Sequence, residues 1–107
     1  MGDQKIKIIK TLEKFKKEVS KIIKLDKIIL FGSRAKGKAK KTSDVDLLII
    51  SKDFEGKKYF RRSPQFYLMW KSEYDADILC LTPTELEEKE KKIGIIKEAI
   101  KEGIEIK

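Results

Sequence analysis

The sequence predicts a small α/β (α+β) domain in which helices pack against a small mixed β-sheet. Two observations lead to this class: a long amphipathic helical stripe opens the chain, and short apolar runs suited to strands then alternate with helical segments. A chain of 107 residues suits one hydrophobic core. We therefore expect a single domain over residues 1–107.

The first half of the chain holds one helix and two predicted strands. Apolar residues recur at spacings of three and four over Gln4–Lys24, which predicts a helix. Lys27–Phe31 is apolar and β-branched, so we expect a buried strand that ends at Gly32. The polar, basic segment that follows can form one helical turn capped by Ser33. Strand character returns over Asp44–Ile50.

The second half continues the alternation. Ser51–Gly56 is expected to form a loop, and the aromatic-rich segment Tyr59–Trp70 predicts a helix that is interrupted or begins near Pro64. Asp75–Leu81 is the third predicted strand. These patterns place a helix between the second and third strands.

A strong helix start follows the third strand. Thr82 can cap a helix, Pro83 suits its first position, and Glu85 completes a capping box. The helix is expected to reach Glu102, with a break near Gly94, before a short strand at residues 104–106. The predicted order is therefore α-β-(α)-β-α-β-α-β.

Composition excludes several kinds of chemistry. The chain contains no histidine, which removes histidine bases, histidine zinc ligands and Ser-His-Asp triads. Its one cysteine, Cys80, lies in an apolar run and is expected to be a buried structural thiol in a reducing compartment. We expect a cytoplasmic protein that does not enter a membrane, because no long apolar run occurs.

The charge balance is basic. Lys and Arg number 26 against 18 Asp and Glu, which gives a net charge of +8. This balance favours polyanionic partners such as nucleotides or nucleic acids. The interspersed charges also fit an ordinary solvated Lys/Glu surface. Nucleic-acid binding is not favoured, because the sequence has no recognisable base-stacking motif.

Two aspartates at the start of the second strand are candidate metal ligands. Asp44 and Asp46 lie two residues apart, so an extended backbone points both carboxylates to one side. Burying adjacent like charges without a partner is costly, and Mg²⁺ prefers such hard oxygen ligands. The alternative is that these carboxylates cap a turn or pair with nearby lysines.

The turn after the first strand is a candidate phosphate site. Gly32 lets the backbone approach a ligand closely, and Ser33 can donate a hydrogen bond. The basic residues that begin with Arg34 make this segment electropositive. The alternative is an ordinary glycine-containing turn.

An acidic residue inside the third strand completes the constellation. Asp77 lies between Ala76 and Ile78, and it would join the first two aspartates if its strand neighbours theirs. Asp75 has the same strand parity and is the alternative third carboxylate. The more apolar flanks of Asp77 favour it.

Together these residues resemble a known signature. Gly32-Ser33, ten intervening residues and Asp44-Val45-Asp46 are similar to the G-S-x10-D-x-D motif of polymerase-β-like nucleotidyltransferases. The segment Arg34–Gly37 and Ser43 resemble the minimal nucleotidyltransferases of prokaryotes in particular. Asp77 and the C-terminal IKEAIKEGIEI also match that family, so the resemblance spans nearly the whole chain.

The resemblance implies a role for each candidate residue. Asp44, Asp46 and Asp77 would act as catalytic residues that hold two Mg²⁺ (or Mn²⁺) ions. Gly32, Ser33 and Arg34 would bind the nucleoside triphosphate, with ATP as the expected substrate. The fold it implies is the polymerase-β-like nucleotidyltransferase core.

The resemblance also implies an acceptor. Minimal nucleotidyltransferases are often paired with a helical HEPN-type toxin, and as antitoxins they transfer AMP to one of its tyrosines. A domain of this size leaves little room for an acceptor-binding domain, so the acceptor would be held by another chain. The alternative function is a non-catalytic module that binds a nucleotide or neutralises a helical partner by contact alone.

Overall fold

The computed structural model describes residues 2–36, 44–92, 94, 97 and 101–106 of the chain. Residues 97, 101 and 102 are also helical. In this part of the chain the elements are α1 (Gly2–Ile22), β1 (Leu25–Phe31), α2 (Ser33–Lys36), β2 (Val45–Ser51), a 3₁₀ turn (Lys52–Phe54), α3 (Tyr59–Arg62), α4 (Pro64–Met69), β3 (Ala76–Leu81), α5 (Pro83–Glu90) and β4 (Ile104–Glu105).

The strands form a mixed sheet in the order β3-β2-β1-β4. β1 pairs antiparallel with both β2 and β4, whereas β2 and β3 are parallel. A parallel pair needs a crossover connection, and α3 and α4 lie in it. The predicted mixed sheet with helices packed against it is confirmed.

The larger core lies between α1 and one face of the sheet. The predicted helical stripe is confirmed, since Ile8, Leu12, Phe15 and Val19 are buried against alternate residues of the strands. Burying each large apolar side chain contributes about 1.5–3 kcal/mol. In β2 the residues on this face are Val45, Leu47 and Ile49.

The second face of the sheet carries a smaller core. Leu48 and Ile50 of β2 pack there with Leu81 of β3 and Leu86 of α5. Because side chains alternate along a strand, Asp46 belongs to this second face. Asp46 is half-buried on this face.

The start of α5 agrees with the predicted capping box. The Thr82 hydroxyl accepts a hydrogen bond from the Glu85 N–H (3.1 Å), and the Glu85 carboxylate accepts one from the Thr82 N–H (2.8 Å). Pro83 begins the helix. Cys80 is buried as expected, and burial raises the pKa of its thiol to about 12.

Arg62 ties the crossover to β3 and α5. Its guanidinium is buried, and it donates to the Cys80 carbonyl oxygen (3.2 Å) and to Glu85 Oε1 (2.5 Å). Its Nε donates to the Lys57 carbonyl oxygen (3.0 Å). Arg62 lowers the pKa of Glu85, chiefly through the hydrogen bond between their side chains. This network could not be predicted from the sequence, in which nothing distinguishes Arg62 from its neighbour Arg61.

Replacing Arg62 by Met is expected to lower the free energy of unfolding by about 2–3 kcal/mol, because it leaves the partners of a buried guanidinium without a donor. The matched control is Arg61→Met, since Arg61 is exposed; this change is expected to cost less than about 0.5 kcal/mol. Urea denaturation at neutral pH measures both changes.

The Arg62 contribution is also expected to depend on pH. A carboxyl whose pKa is lower in the folded state adds stability above its ordinary pKa and loses that stability as the pH falls through the lowered value. The difference between wild type and Arg62→Met should therefore shrink in acid. If the difference in unfolding free energy between the two proteins stays constant as the pH falls, the pairing of Arg62 with Glu85 is contradicted.

Candidate active site

The parallel pairing of β2 and β3 brings two of the predicted carboxylates side by side. Asp46 and Asp77 are direct neighbours in the register, so both side chains emerge on the same face of adjacent strands about 4.8 Å apart. The Val45 N–H donates to the Asp75 carbonyl oxygen (2.8 Å) and continues the pairing beyond the strand ends. The strand contact on which the predicted three-carboxylate site depends is confirmed.

The other two aspartates precede the strands. Asp44 lies directly before β2, is exposed, and contributes to the electrostatic potential at Asp46. Asp75 lies directly before β3 and has no register partner within the strand pair. The register therefore favours Asp77 over Asp75 as the neighbour of Asp46.

The turn after β1 lies against the Asp46 carboxylate. Phe31 pairs with Asp46 across the β1–β2 ladder, and Gly32 follows with a φ of +74°. A Cβ atom placed on Gly32 would overlap Oδ2 of Asp46 and lie 3.2 Å from its Cγ. Glycine is thus required here both by its backbone conformation and by the space that Asp46 occupies.

This contact joins the two sites that the sequence predicted separately. The turn predicted to bind phosphate and the strand predicted to bind metal meet at Gly32 and Asp46. Ser33 is the first residue of α2 and is half-buried, with the Ala35 N–H bonded to the Gly32 carbonyl oxygen (3.1 Å). A triphosphate on the turn would therefore lie beside the carboxylates.

The electrostatic environment of Asp46 favours a bound cation. Burial raises the pKa of Asp46, and the charges of Asp77 and Asp44 raise it further. A divalent cation would offset both effects. Within the described residues no three acidic or cysteine side chains converge on one point. The neighbouring pair nevertheless fits Mg²⁺, which takes one or two protein carboxylates and fills its shell with water and phosphate oxygens.

Arg34 occupies a different environment from the open, basic loop that the sequence predicted around it. It is 5% exposed, and its guanidinium lies 4.7 Å from the centre of the Tyr74 ring. The structure thus places Arg34 against the segment before β3, and its predicted contact with a nucleotide stays a prediction. Gly37 and Ser43 lie outside the described residues.

Two tyrosines near Asp77 were not predicted as site residues. The Tyr67 hydroxyl accepts a hydrogen bond from the Ile78 N–H (2.8 Å), on the residue next to Asp77. Tyr59 is half-exposed; its pKa is raised mainly by burial, and the charge of Asp77 contributes. The aromatic run from Tyr59 to Trp70 was visible in the sequence, but its position beside β3 depends on the fold.

Comparison with known proteins decides the family. The sequence model of the family described as "Nucleotidyltransferase domain" matches residues 12–67, slightly more than half of the chain. The chain belongs to the nucleotidyltransferase domain family. The matched residues run from α1 into α4 and include Gly32, Asp44 and Asp46. Asp77 lies beyond them, so its place in the site depends on the strand register.

Two individual proteins are similar to this nucleotidyltransferase domain. A protein of Methanocaldococcus jannaschii named "Putative protein adenylyltransferase" is 48% identical over 50 residues, which are 45% of this chain and 50% of the relative. The match thus spans about half of the relative's length. The crystal structure of "a putative nucleotidyltransferase" from Sulfolobus solfataricus superposes with a TM-score of 0.69 at 25% identity, covering 80% of this chain and 77% of that one.

The comparisons agree with the architecture of the nucleotidyltransferase domain. The structural match covers most of both chains, so it supports the sheet and its helices as a whole. Among the described residues, no helix has both the length and the apolar character needed to cross a bilayer.

Proposed function

We propose that this nucleotidyltransferase domain is an enzyme that uses divalent metal ions to transfer AMP from ATP to a protein hydroxyl, a tyrosine of a helical HEPN-type toxin. It would thereby act as an antitoxin. The observation that carries the proposal is that Gly32 lies against the Asp46 side chain, and that Asp46 is the register neighbour of Asp77. The name of the Methanocaldococcus relative, "Putative protein adenylyltransferase", supports the choice of a protein as the acceptor.

Each residue of the proposed site would have its own role in such a reaction. Asp44 and Asp46 would hold two Mg²⁺ or Mn²⁺ ions, and Asp77 would join them at one ion. When bound, the ions lower the pKa of the attacking hydroxyl and neutralise the phosphate charge. The Gly32–Ser33 turn would hold the triphosphate through backbone N–H groups and the serine hydroxyl. Arg34 would support that turn from its buried position.

The bond changes follow from this arrangement. The acceptor hydroxyl releases its proton to solvent water, and its oxygen attacks the α-phosphorus to form a new P–O bond; the bond from the α-phosphorus to the oxygen that bridges it to the β-phosphorus breaks, and pyrophosphate leaves. The chain contains no histidine, so carboxylates supply the ionisable groups of the site. Asp46 lies between the turn and Asp77, so it would hold a metal ion beside the triphosphate.

The second candidate function is a non-catalytic module that binds a nucleotide or masks a helical partner by contact. It is favoured by the exposed apolar side chains of α3 and α4, of which Phe60 is 66% and Leu68 84% exposed. Such a module needs no carboxylates at the end of β2. Measuring partner binding and covalent transfer separately distinguishes the two candidates, because only the enzyme needs the carboxylates for transfer.

The test combines the chain with a HEPN-type protein, labelled ATP and Mg²⁺ or Mn²⁺. Wild type is expected to move label to a tyrosine of that protein, as located by mass spectrometry. Asp44→Asn and Asp77→Asn should still bind the partner but transfer no label. If wild type neutralises the partner without forming an adduct under any metal condition, the non-catalytic module is the better account.

A further inference from the structure

A groove separates α1 from the C-terminal end of α4, away from the carboxylates. Its volume is about 680 Å³, and its floor is formed by Phe15 of α1 with Met69 and Trp70 from the end of α4. Leu68 stands at its rim and is 84% exposed. We call this feature the α1–α4 groove.

The floor of the α1–α4 groove is held in place by specific contacts. The Trp70 Nε1 donates to the Tyr74 carbonyl oxygen (2.7 Å). The Trp70 and Phe15 rings meet edge to face, with centroids 5.2 Å apart and planes at 84°. A preformed apolar floor lowers the entropic cost of binding, so an occupant would not need to order these side chains.

The rim of the groove is basic. Lys14 and Lys17 line it on α1, and Lys71 lines it beyond α4. The lining also includes one acidic residue, Glu18, whose carboxylate is paired with Lys21 at 3.2 Å. The groove therefore combines an apolar floor with an excess of positive charge.

The apolar floor and the basic rim of the groove together favour one class of binding partner over others. A second copy of the chain, with its own charge of +8 and its own lysine rim, would bring like charges together. A nucleic acid would use the lysines but would gain little from aliphatic Leu68 and Met69. An amphipathic helix satisfies both features when it turns apolar residues to the floor and acidic residues to the rim.

We propose that the α1–α4 groove docks an acidic amphipathic helix of the acceptor protein. The link to an acceptor rests on the proposed function, whereas the docking itself needs neither metal nor nucleotide. α4 connects the groove to the carboxylates, because Tyr67 precedes Leu68 and its hydroxyl bonds to the Ile78 N–H beside Asp77. A protein seated in the groove would thus reach the active site across the outer edge of β3.

The chain carries its own reporter for this proposal. Trp70 is its single tryptophan, so intrinsic fluorescence reports directly on the groove floor. The probe is a synthetic helical peptide of about 20 residues, without tryptophan, with leucines on one face and glutamates on the other. A scrambled peptide of the same composition lacks the apolar face. We expect the first peptide to shift Trp70 emission to the blue and to bind at least about ten times more tightly than the scramble.

Two variants test the apolar and the basic contributions of the groove separately. Leu68→Ser and the double variant Lys14→Glu/Lys71→Glu are each expected to weaken peptide binding about ten-fold or more. All three residues are exposed, so the fold should persist, which circular dichroism checks. The control, Lys52→Glu/Lys92→Glu, changes net charge equally at exposed positions outside the groove lining and should retain affinity within about three-fold.

The outcomes separate this proposal from the proposed function. Asp46→Asn should bind the peptide like wild type, because the carboxylate takes no part in docking. Equal binding of both peptides, or equal weakening by the control variant, would overturn the proposal. So would an oligouridylate that shifts Trp70 emission more strongly than the peptide, or self-association through this face in sedimentation experiments.

Discussion

Replacing Asp46 by Asn is expected to reduce nucleotidyl transfer by about 10²- to 10³-fold or more, the range seen when a group that stabilises transition-state charge is removed. Asp46 is the residue that contacts the Gly32 turn and neighbours Asp77, so its carboxylate faces both halves of the proposed site. The variant should retain the wild-type fold. Burial and the nearby carboxylates raise the pKa of Asp46, which means that its charged form is less favourable in the folded protein than in the unfolded chain.

The sign of the stability change follows from that pKa. A neutral Asn does not experience the repulsion from Asp77 and Asp44, so the variant should unfold at the same temperature as wild type or higher, measured without ligand at neutral pH. Mg²⁺ and ATP together should stabilise wild type more than either alone, because they share ligands, and this synergy should vanish in the variant. Wild-type transfer rates in Asp46→Asn would refute the assignment.

A matched pair sharpens the same prediction. Asp77→Asn removes the register neighbour of Asp46, whereas Asp75→Asn changes a carboxylate just before β3; both residues are exposed. We expect a large loss of transfer from the first and a loss of less than about ten-fold from the second. The reverse order would make Asp75 the third carboxylate.

Replacing Gly32 by Ala is expected to have the other large effect, on both stability and transfer. The substitution places a Cβ in a backbone with φ of +74° and drives that atom into Oδ2 of Asp46. The backbone strain alone costs about 1–2 kcal/mol. The carboxylate must also move, which displaces it from Asp77 and should reduce transfer by about 10²-fold or more.

Gly56 supplies the control for this substitution. Its φ is +79°, nearly that of Gly32, but a Cβ placed there would meet no atom within 4 Å. Gly56→Ala should therefore show the backbone strain without the clash and should keep its transfer activity. The difference in unfolding free energy between the two variants measures the contact with Asp46. Equal stability losses and equal activities would show that the Gly32 turn does not hold the carboxylate.

A double variant isolates the contact further. Asp46→Gly removes the side chain that a Cβ at residue 32 would strike, so Gly32→Ala should cost less in that background than in wild type. Urea denaturation of the four proteins gives the coupling energy between the two positions. Additive losses would contradict a direct contact.

Patterned, local features of the fold could be predicted from the sequence. The stripe in α1, the break at Pro64 and the capping box at Thr82 each depend on residues within a few positions of one another. Their predicted bounds differ from the observed ones by a few residues; α1, for example, is observed at Gly2–Ile22. The predicted loop after Ser51 contains the 3₁₀ turn Lys52–Phe54, which is too short to show a period.

Tertiary features were harder to predict. The sequence placed Asp77 in a strand, but only the parallel register shows that it neighbours Asp46. The sequence predicts an open, basic loop around Arg34 and does not distinguish Arg62 from Arg61. Both Arg34 and Arg62 are buried by segments distant in sequence: the Tyr74 ring in one case, and Cys80 with Glu85 in the other. Such contacts depend on how the crossover packs, which no local pattern encodes.

The connection between the parallel strands β2 and β3 is distinct from the strand pairing that aligns the two aspartates. The two aspartates are aligned by backbone pairing, whereas the intervening helices α3 and α4 carry exposed apolar side chains such as Phe60 and Leu68. As long as Arg62 and Phe66 keep their buried contacts, exposed positions of these helices can change without altering the strand register. Substitutions at the exposed positions of this connection are therefore expected to change what it binds without moving the aspartate pair.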